Sequence, residues 1–314
     1  MSGVTVLGGA GFIGSHLVDE LMAQGHEVTV LDNLSEGKLD NLKRWKNNPK
    51  FDFCRGDITD YRQVEAAVDR REWVFHLAAM SRIQPSITDP MSAWKSNIMG
   101  TANVLEACRN RGVKRVVYSA SSSAYGQRNT PPLNELMPTD CLNPYSLSKK
   151  VGEELMDQYR KMYGLSTVSL RYFNVYGPRH QEEGSYATVI AVFRKQKREG
   201  KKMTIVGDGT QRRDFTFVSD VVRANIMAAM NYETNGVFNV GTGENYSINQ
   251  IAEIIQGESE FIPARLGEAQ VTLADTSKIR TVLGWQPQVD LRTGLQIIEQ
   301  YEKINSRSSL IILP

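Results

Sequence analysis

Val4-Thr5-Val6-Leu7-Gly8-Gly9-Ala10-Gly11-Phe12-Ile13-Gly14 is a short apolar run that leads into glycines at positions 8, 11 and 14. A helical pattern follows it as far as about Gln24. The spacing fits G-x-x-G-x-x-G at a strand-to-helix turn, where glycine permits a tight turn and a close backbone approach to a pyrophosphate. The pyrophosphate would then rest on the N-terminus of the helix. This stretch therefore predicts a dinucleotide-binding unit.

The same alternation of short apolar runs and helical patterns continues through the first half of the chain. It predicts strands at 4–7, 27–31, 51–54, 74–77, 116–119 and 168–172, with helices between them, for example at 63–68 and 97–110. Alternating strands and helices favour right-handed crossovers and a parallel sheet covered on both faces. The predicted fold class is α/β: a Rossmann-type doubly wound parallel sheet with a smaller C-terminal α/β lobe.

The rhythm breaks after Asn174. We therefore expect residues 1–174 to form the dinucleotide-binding domain and residues 175–314 to form mainly a substrate-binding lobe. Segments near 214–241, a helix at 218–231 and a strand at 237–240, are expected to return to the first domain. The tail at 306–314 fits either a docked edge or a frayed end.

Composition excludes several classes of protein. The 314 residues are 41% hydrophobic and 23% charged, with a formal net charge of +2, which are ordinary globular values. Lysine and arginine are scattered, whereas a nucleic-acid-binding protein needs a clustered basic face. Cys54, Cys108 and Cys141 form no close pair, which argues against a disulfide scaffold or a cysteine-rich zinc site. No window approaches the ~20 apolar residues of a membrane span, so we expect a cytoplasmic protein with no membrane partner.

Asp32 is the candidate that selects the dinucleotide. It closes the second predicted strand, about 20 residues after the glycine turn, where a carboxylate hydrogen-bonds the adenosine ribose diol. Because a carboxylate there also repels a 2′-phosphate, we expect NAD rather than NADP, although Arg55 could accommodate such a phosphate. His76 is interpreted as a core histidine, and no histidine pair has the spacing of metal ligands.

Tyr145 and Lys149 are the candidate acid–base pair. They are four residues apart after Pro144, and on a helix that spacing places both side chains on one face. A phenol titrates near pH ~10, so a neighbouring ammonium and a positive nicotinamide ring are needed to stabilise the phenolate at neutral pH. We expect Leu147, Val151 and Leu155 to form a separate packing stripe on another side of this helix.

A serine cluster at the end of the fifth predicted strand completes the set. In Ser119-Ala-Ser121-Ser122-Ser123 the hydroxyls stand at the carboxyl end of a strand, where ligands bind an open parallel sheet. A serine at this place can hydrogen-bond the reacting hydroxyl and share its proton with Tyr145.

Together these residues resemble, along nearly the whole chain, the extended short-chain dehydrogenases/reductases that act as NAD-dependent epimerases and dehydratases of nucleotide sugars. The matching stretches are Gly8-Gly-Ala-Gly-Phe-Ile-Gly14, Leu31-Asp-Asn-Leu34, Gly56-Asp57, His76-Leu-Ala-Ala79, Tyr145-x-x-x-Lys149, Arg171-Tyr-Phe-Asn-Val-Tyr-Gly-Pro178, Gly207-Asp-Gly209, Arg213-Asp-Phe215 and Asp220-Val221.

The resemblance implies a role for each matching position. Ser121, Tyr145 and Lys149 would be catalytic. NAD would be bound by Gly8, Gly11, Phe12, Ile13, Gly14, Asp32, Asn33, Asp57, Ile58, Leu77, Ala78, Ala79, Ser119, Tyr145, Lys149 and Tyr172. The nucleotide sugar would be bound by Ser81, Ser122, Ser123, Asn174, Arg213, Arg265, Glu268 and Thr272, with no metal. The resemblance also implies a homodimer, formed by the helix near 91–110 and the helix that begins at Tyr145.

Within the family, the residues that follow the catalytic hydroxyl distinguish the reactions. The 4,6-dehydratases carry Thr-Asp-Glu there, and the decarboxylating enzymes usually keep a glutamate at the third place. Ser121-Ser122-Ser123 has no carboxylate and is similar to the 4-epimerases, which oxidise C4 of a UDP-sugar to a transient ketone and reduce it from the other face. The alternatives are a nucleotide-sugar dehydratase, decarboxylase or reductase, and, more remotely, a non-catalytic NAD-binding regulatory protein.

Two features of the family bear on the sugar. Thr272, seven positions after Arg265, stands where a bulky tyrosine goes with plain hexoses and a small residue goes with N-acetylated sugars. Glu183 and Glu268-Ala-Gln depart from the family pattern. The resemblance therefore favours UDP-N-acetylglucosamine/galactosamine, UDP-glucose/galactose, or both.

Overall fold

The computed structural model describes residues 2–183, 187–264 and 269–310, with side chains described up to residue 304. The predicted Arg265 and Glu268, and the side chains of the tail from residue 306, lie outside the described residues.

A seven-stranded parallel sheet forms the centre of the molecule. Its strands are β1 (Gly3–Leu7), β2 (Glu27–Asp32), β3 (Phe51–Arg55), β4 (Trp73–His76), β5 (Arg115–Ser121), β6 (Thr167–Tyr172) and β11 (Gly236–Val240), in the order β11-β6-β5-β4-β1-β2-β3. All six neighbouring pairs are parallel. This confirms the predicted fold class, and the late strand β11 joins the edge of the sheet beside β6.

Helices cover both faces of this sheet, because apolar side chains line both sides of its strands. The helices of the chain are α1 (Phe12–Ala23), α2 (Tyr61–Val68), α3 (Ile83–Thr88), α4 (Pro90–Trp94), α5 (Gly100–Asn110), α6 (Pro144–Tyr163), α7 (Val189–Arg198), α8 (Val218–Met230), α9 (Ile248–Ile255), α10 (Ser277–Leu283) and α11 (Leu291–Leu310). One apolar core lies between the sheet and α1 and α8. A second core lies between the sheet and α2, α5 and α6. A parallel sheet is stable only when both faces are buried in this way.

The smaller lobe contains three two-stranded sheets. They pair β7 (Val175–Tyr176) with β10 (Thr216–Phe217), β9 (Arg212–Arg213) with β12 (Tyr246–Ser247), and β8 (Met203–Val206) with β13 (Ser259–Ile262). A third apolar core joins them to α7, α9 and α11. Loops from this lobe therefore meet the carboxyl ends of the central strands.

The prediction that Leu147, Val151 and Leu155 form the packing stripe of α6 is wrong in one respect. The side of α6 that faces the sheet carries Lys149, Gly152, Glu153 and Met156, so the Tyr145–Lys149 face is itself the buried face. Leu147 is 43% exposed because it points away from the sheet. Charged and polar side chains are thus buried where an ordinary amphipathic helix would carry apolar ones.

Candidate functional site

A cleft of about 1110 Å³ opens at the carboxyl ends of the central strands, between the sheet and the smaller lobe. It brings together the predicted site residues that the structure describes: Gly8, Gly11, Phe12, Ile13, Gly14, Asp32, Asn33, Asp57, Ile58, Leu77, Ala78, Ala79, Ser81, Ser119, Ser121, Ser122, Ser123, Tyr145, Lys149, Tyr172, Asn174, Arg213 and Thr272.

The glycine turn leaves no room for side chains. Gly8 has a φ of +82°, and a Cβ there would lie 2.7 Å from the backbone nitrogen of Ala78. A Cβ on Gly14 would lie 2.2 Å from the carbonyl oxygen of Gly8. The N-cap Gly11 has no side chain, so the first backbone N–H groups of α1 have no side-chain acceptor and border the cleft. This arrangement fits a pyrophosphate, which accepts hydrogen bonds at a helix N-terminus.

Asp32 lies at the end of β2 and is almost fully buried. Its carboxylate accepts hydrogen bonds from the backbone nitrogens of Ala10, at 2.9 Å, and Leu34, at 2.8 Å. Burial raises the pKa of this carboxyl, while the two backbone donors oppose the rise. Arg55 is exposed and lies outside the lining of the cleft. The carboxylate therefore has the position expected of a ribose-diol acceptor.

Lys149 reaches the cleft from the buried face of α6. The helix begins at Pro144 with Asn143 as its N-cap, in a reciprocal capping box with Ser146. The Nζ of Lys149 donates to the carbonyl oxygen of Ser119 at 2.8 Å and lies 4.9 Å from the centre of the Tyr118 ring. Burial lowers the pKa of Lys149 to about 7.

The pKa of the Tyr145 phenol differs from the expectation. Burial raises the pKa of Tyr145, and a hydrogen bond with the Ser121 side chain and the positive charge of Arg82 only partly oppose this rise. The predicted lowering of the Tyr145 pKa by Lys149 is not found, and the side-chain amine of Lys149 donates to the carbonyl oxygen of Ser119. The protein groups alone thus keep Tyr145 protonated at neutral pH.

The serine cluster forms a tight turn at the end of β5. Residues Ser122–Tyr125 form a 3-10 turn, and the hydroxyls of Ser121 and Ser123 are 2.8 Å apart. Ser121 therefore connects the turn with Tyr145. The turn presents three hydroxyls to the cleft and no carboxylate.

The end of the cleft beside Thr272 is held by a second hydrogen-bond network. The Nδ2 of Asn174 donates to the carbonyl oxygen of Asp214, at 3.0 Å, and to the Oγ1 of Thr272, at 3.2 Å. The carboxylate of Asp214 is fully buried and accepts from the backbone nitrogens of Thr242, Gly243 and Ala274. Asp214 was not predicted as a site residue, although it lies inside the quoted Arg213-Asp-Phe215 motif.

Two further contributions were not predicted from the sequence. Arg82, which follows Ser81, lines the cleft and is close enough to Tyr145 to affect its pKa. Asn97 lies in a π turn, Lys95–Met99, and binds both backbone groups of Met80 and the hydroxyl of Ser148. π turns are rare in proteins, and those that occur are often found at functional sites. No local sequence pattern marks them.

Residues 178–181 also join the two lobes. Each of these four consecutive residues contacts the N-terminal lobe. The carbonyl of Pro178 is 2.9 Å from the His16 ring, Arg179 pairs with Asp19 at 2.6 Å, His180 stacks on Phe12 with ring centres 4.2 Å apart, and Gln181 donates to Glu36.

His76 is a core histidine, as predicted. It is buried, its Nε2 lies 2.9 Å from the hydroxyl of Thr101, and burial lowers its pKa to about 3. Within the described ranges no three His, Cys, Asp or Glu side chains could hold a metal ion together. No helix in the part of the chain that is described is long and apolar enough to cross a membrane.

Comparison with known proteins agrees with this geometry. Residues 4–241 match the model of the NAD dependent epimerase/dehydratase family. The UDP-glucose 4-epimerase of Mycolicibacterium smegmatis is 40% identical over 92% of this chain and 95% of its own length. The structure of Thermotoga maritima UDP-glucose 4-epimerase with UDP-glucose has a TM-score of 0.91 at 37% identity, covering 97% of this chain and 99% of that one.

A second solved structure extends the range of ligands among these relatives. UDP-N-acetylglucosamine 4-epimerase from Methanobrevibacter ruminantium, in complex with UDP-N-acetylmuramic acid, has a TM-score of 0.89 at 35% identity. The alignment covers 96% of this chain and 99% of that one.

Proposed function

The chain belongs to the NAD dependent epimerase/dehydratase family, and from this premise we propose that it is a UDP-sugar 4-epimerase. The observation that carries the proposal is the meeting of Ser121, Tyr145 and Lys149 in one cleft, beside a turn that has three hydroxyls and no carboxylate.

NAD would occupy the end of the cleft formed by residues 1–174. The first backbone N–H groups of α1 suit its pyrophosphate, and the carboxylate of Asp32 suits the ribose diol. Residues 175–264 and 269–310 would supply most of the UDP-sugar site, with Arg213 as a diphosphate ligand. When bound, NAD would supply a hydride acceptor and donor for C4 of the sugar, and the positive charge of its oxidised ring would favour the phenolate.

Tyr145 would take the proton of the C4 hydroxyl and later return it. Ser121 would hydrogen-bond the same hydroxyl and share its proton with Tyr145, to which it is already connected. Lys149 would hold the local charge that favours the phenolate. These three side chains supply general acid–base catalysis at one oxygen, which is sufficient for a redox-neutral inversion.

The absence of a carboxylate from the Ser121–Ser123 turn favours epimerisation over dehydration. Removing water across C5 and C6 requires a further acid and base close to the sugar. The three hydroxyls of the turn cannot fill those roles at neutral pH, because an unperturbed serine does not ionise there. The turn therefore suits a reaction in which only the C4 oxygen exchanges a proton.

Thr272 favours a sugar with a 2-acetamido group. Its small side chain lies in the wall of the cleft at 8% exposure, where a tyrosine ring would take up volume. We therefore propose UDP-N-acetylglucosamine and UDP-N-acetylgalactosamine as substrates, with UDP-glucose and UDP-galactose accepted in addition.

The protein is proposed to be a cytoplasmic homodimer that pairs α4 to α6 with their copies. Its three cysteines are free, as suits a reducing compartment. Met91, Met99 and Leu147 are 68%, 58% and 43% exposed on the elements expected to pair. Such exposed apolar side chains favour a protein interface. Sedimentation that shows only monomer at micromolar concentration would contradict the dimer.

A panel of UDP-sugars tests the reaction. The purified protein, with NAD added, should convert UDP-N-acetylglucosamine to a mixture with its C4 epimer, resolved by chromatography and NMR. Neither a 4-keto product nor net NADH should accumulate. An accumulated 4-keto-6-deoxy sugar, a pentose product or stoichiometric NADH would identify a dehydratase, a decarboxylase or a dehydrogenase instead.

A further inference from the structure

A buried ion pair lies behind the Tyr145–Lys149 pair. The Nε and Nη2 atoms of Arg171 each donate to an oxygen of the Glu153 carboxylate at 2.7 Å. The side chains of Arg171 and Glu153 are only 2% and 1% exposed. Glu153 lies one helical turn after Lys149 on the same face of α6, so a buried carboxylate stands beside a buried ammonium.

We propose that Glu153 is a positioning residue of the reaction, whose carboxylate keeps Lys149 charged, and that Arg171 holds this carboxylate in place. The inference rests on the proposed role of Tyr145 and Lys149. It adds a residue that acts on the base through Lys149 and does not touch the substrate.

Lys149 needs such a partner because its surroundings otherwise disfavour its charge. Burial lowers the pKa of Lys149, and Glu153 is the group that raises it. The other titratable or charged groups around Lys149 are Tyr145 and Lys150 on α6, Tyr118 on β5, His76 on β4, and Arg171 and Tyr172 on β6. Of these and Glu153, only Glu153 carries a negative charge at neutral pH.

Stability alone gives a weak reason for this pair. The attraction between two buried charges is largely offset by the loss of their hydration, and an apolar pair of similar volume is often as stable. Moreover, Arg171 is fixed from a second side: its guanidinium lies 4.6 Å from the centre of the Tyr125 ring, whose hydroxyl donates to the Oδ1 of Asn239 at 2.7 Å. The carboxylate is therefore held between α6 and the sheet with little freedom to move.

Glu153→Gln tests the proposal, because glutamine keeps the shape and one oxygen acceptor but removes the charge. The pH dependence of kcat is measured on the NAD-loaded protein. Since Lys149 loses its proton more readily without the carboxylate, the alkaline limb should move to lower pH by about one unit. Glu153→Asp, which restores a carboxylate, should bring the limb back toward the unmodified position.

A spectroscopic titration provides a readout that needs no sugar. The NMR signals of the Lys149 side chain are assigned as those missing from the Lys149→Met counterpart of each protein, and they report the titration of Lys149 directly. Their midpoint should fall in Glu153→Gln, because the buried ammonium loses the carboxylate that favours its charge. This titration remains informative if the panel of UDP-sugars gives no product, so failure of the positioning role and failure of the proposed reaction can be separated.

Glu302→Gln is the matched control. Glu302 also forms a two-contact pair with an arginine, Arg194, at 2.7 and 3.4 Å, but between α7 and α11. The loss of this pair should lower Tm without moving the alkaline limb or the Lys149 midpoint. If Glu153→Gln likewise lowers only Tm, the pair is merely structural and the proposal is wrong.

If Glu153→Gln does not fold, the double variant Glu153→Gln/Arg171→Gln carries the same test. It removes both members of the Glu153–Arg171 pair, so neither of them is left as an unpaired buried charge, which is the costly state. A smaller shift of the alkaline limb in the same direction is expected. An unchanged pH profile in the double variant would overturn the proposal.

Discussion

The end of the cleft that we propose for NAD, called the cofactor end, is lined mainly by residues that directly follow strands of the central sheet. The end that we propose for the UDP-sugar, called the sugar end, is lined by short strands and loops of the smaller lobe. At the cofactor end, the hydrogen bond between Ala10 and Asp32 joins residues 22 positions apart. At the sugar end, the hydrogen bond between Asn174 and Thr272 joins residues 98 positions apart. Local sequence patterns thus specify the cofactor end, whereas packing between distant parts of the chain specifies the sugar end.

This difference determines how the two ends respond to substitution. A substitution at the cofactor end changes a side chain at the edge of the central sheet. We therefore expect it to alter one contact with the ligand and to leave the other contacts in place. A change at the sugar end removes one member of a network that holds several loops, so its effect should spread to more than one substrate. Substitutions at four places, Tyr145, Asp32, the Ser121–Ser123 turn and Thr272, test this contrast, beginning with Tyr145 at the junction of the two ends.

Tyr145→Phe should have the largest effect, because it removes the base and leaves the ring. We expect turnover to fall by at least the ~10²-fold that is typical of acid–base groups, while NAD binding is retained. Turnover is followed by chromatography of UDP-sugars, and NAD binding by fluorescence titration. Near-normal turnover would exclude Tyr145 as the base.

The strands of the central sheet and the Tyr145–Lys149 pair at the junction could be predicted from the sequence. The strand–helix alternation predicts six strands of the central sheet within two residues at each end, because a sheet buried on both faces requires continuous apolar runs. The seventh strand, β11, is predicted separately, as a segment at 237–240 that returns to the first domain. The Tyr145–Lys149 pair follows from helical spacing. Its pKa values do not, since burial and the turn of Lys149 toward Ser119 depend on tertiary packing.

At the sugar end, candidate residues could be named from the sequence, but their contacts could not be predicted. Asp214 and Arg82 have no spacing rule that places them in the cleft, and the contacts of residues 178–180 with α1 join elements about 160 residues apart. Only the resemblance to a family located Asn174 and Thr272. Local patterning carries no information about such distant partners.

Asp32→Ala should weaken NAD binding by roughly 10- to 100-fold, as expected for losing a hydrogen bond to a charged group. Asp32→Asn, which keeps an oxygen acceptor but loses the charge, should weaken NAD less and improve binding of NADP. Both affinities are measured by calorimetric titration. Tighter binding of NADP than of NAD by the unmodified protein would show that Asp32 does not select the cofactor.

Ser121→Ala should lower kcat by about tenfold, less than the loss of the base, because Tyr145 can partly reach the substrate itself. Ser123→Ala is the companion variant, since it removes the hydroxyl partner of Ser121 and leaves Ser121 in place. Its effect on kcat should be smaller. A larger loss in Ser123→Ala than in Ser121→Ala would assign the proton-sharing role to Ser123.

Loss of the Thr272 hydroxyl alone should give the smallest effect, and two variants separate this hydroxyl from the size of the side chain. Thr272→Val keeps the volume but removes the Oγ1 atom that accepts from Asn174 and from the backbone nitrogen of Asp214. Because that network supports the sugar site as a whole, kcat/KM should fall by a similar, small factor for acetylated and plain UDP-sugars.

Thr272→Tyr adds a ring to the wall of the cleft in addition to removing this hydroxyl. A clash forbids binding, whereas a void only permits it, and apolar pocket contacts discriminate by only ~1–3 kcal/mol. The acetylated pair should therefore lose roughly tenfold or more in kcat/KM relative to the plain pair, measured with both substrates in one mixture. Equal losses on both pairs in Thr272→Tyr would show that Thr272 supports the network without limiting the size of the sugar. A selective loss in Thr272→Val would instead assign the discrimination to the hydroxyl, through Asn174, because valine leaves the volume of the pocket unchanged.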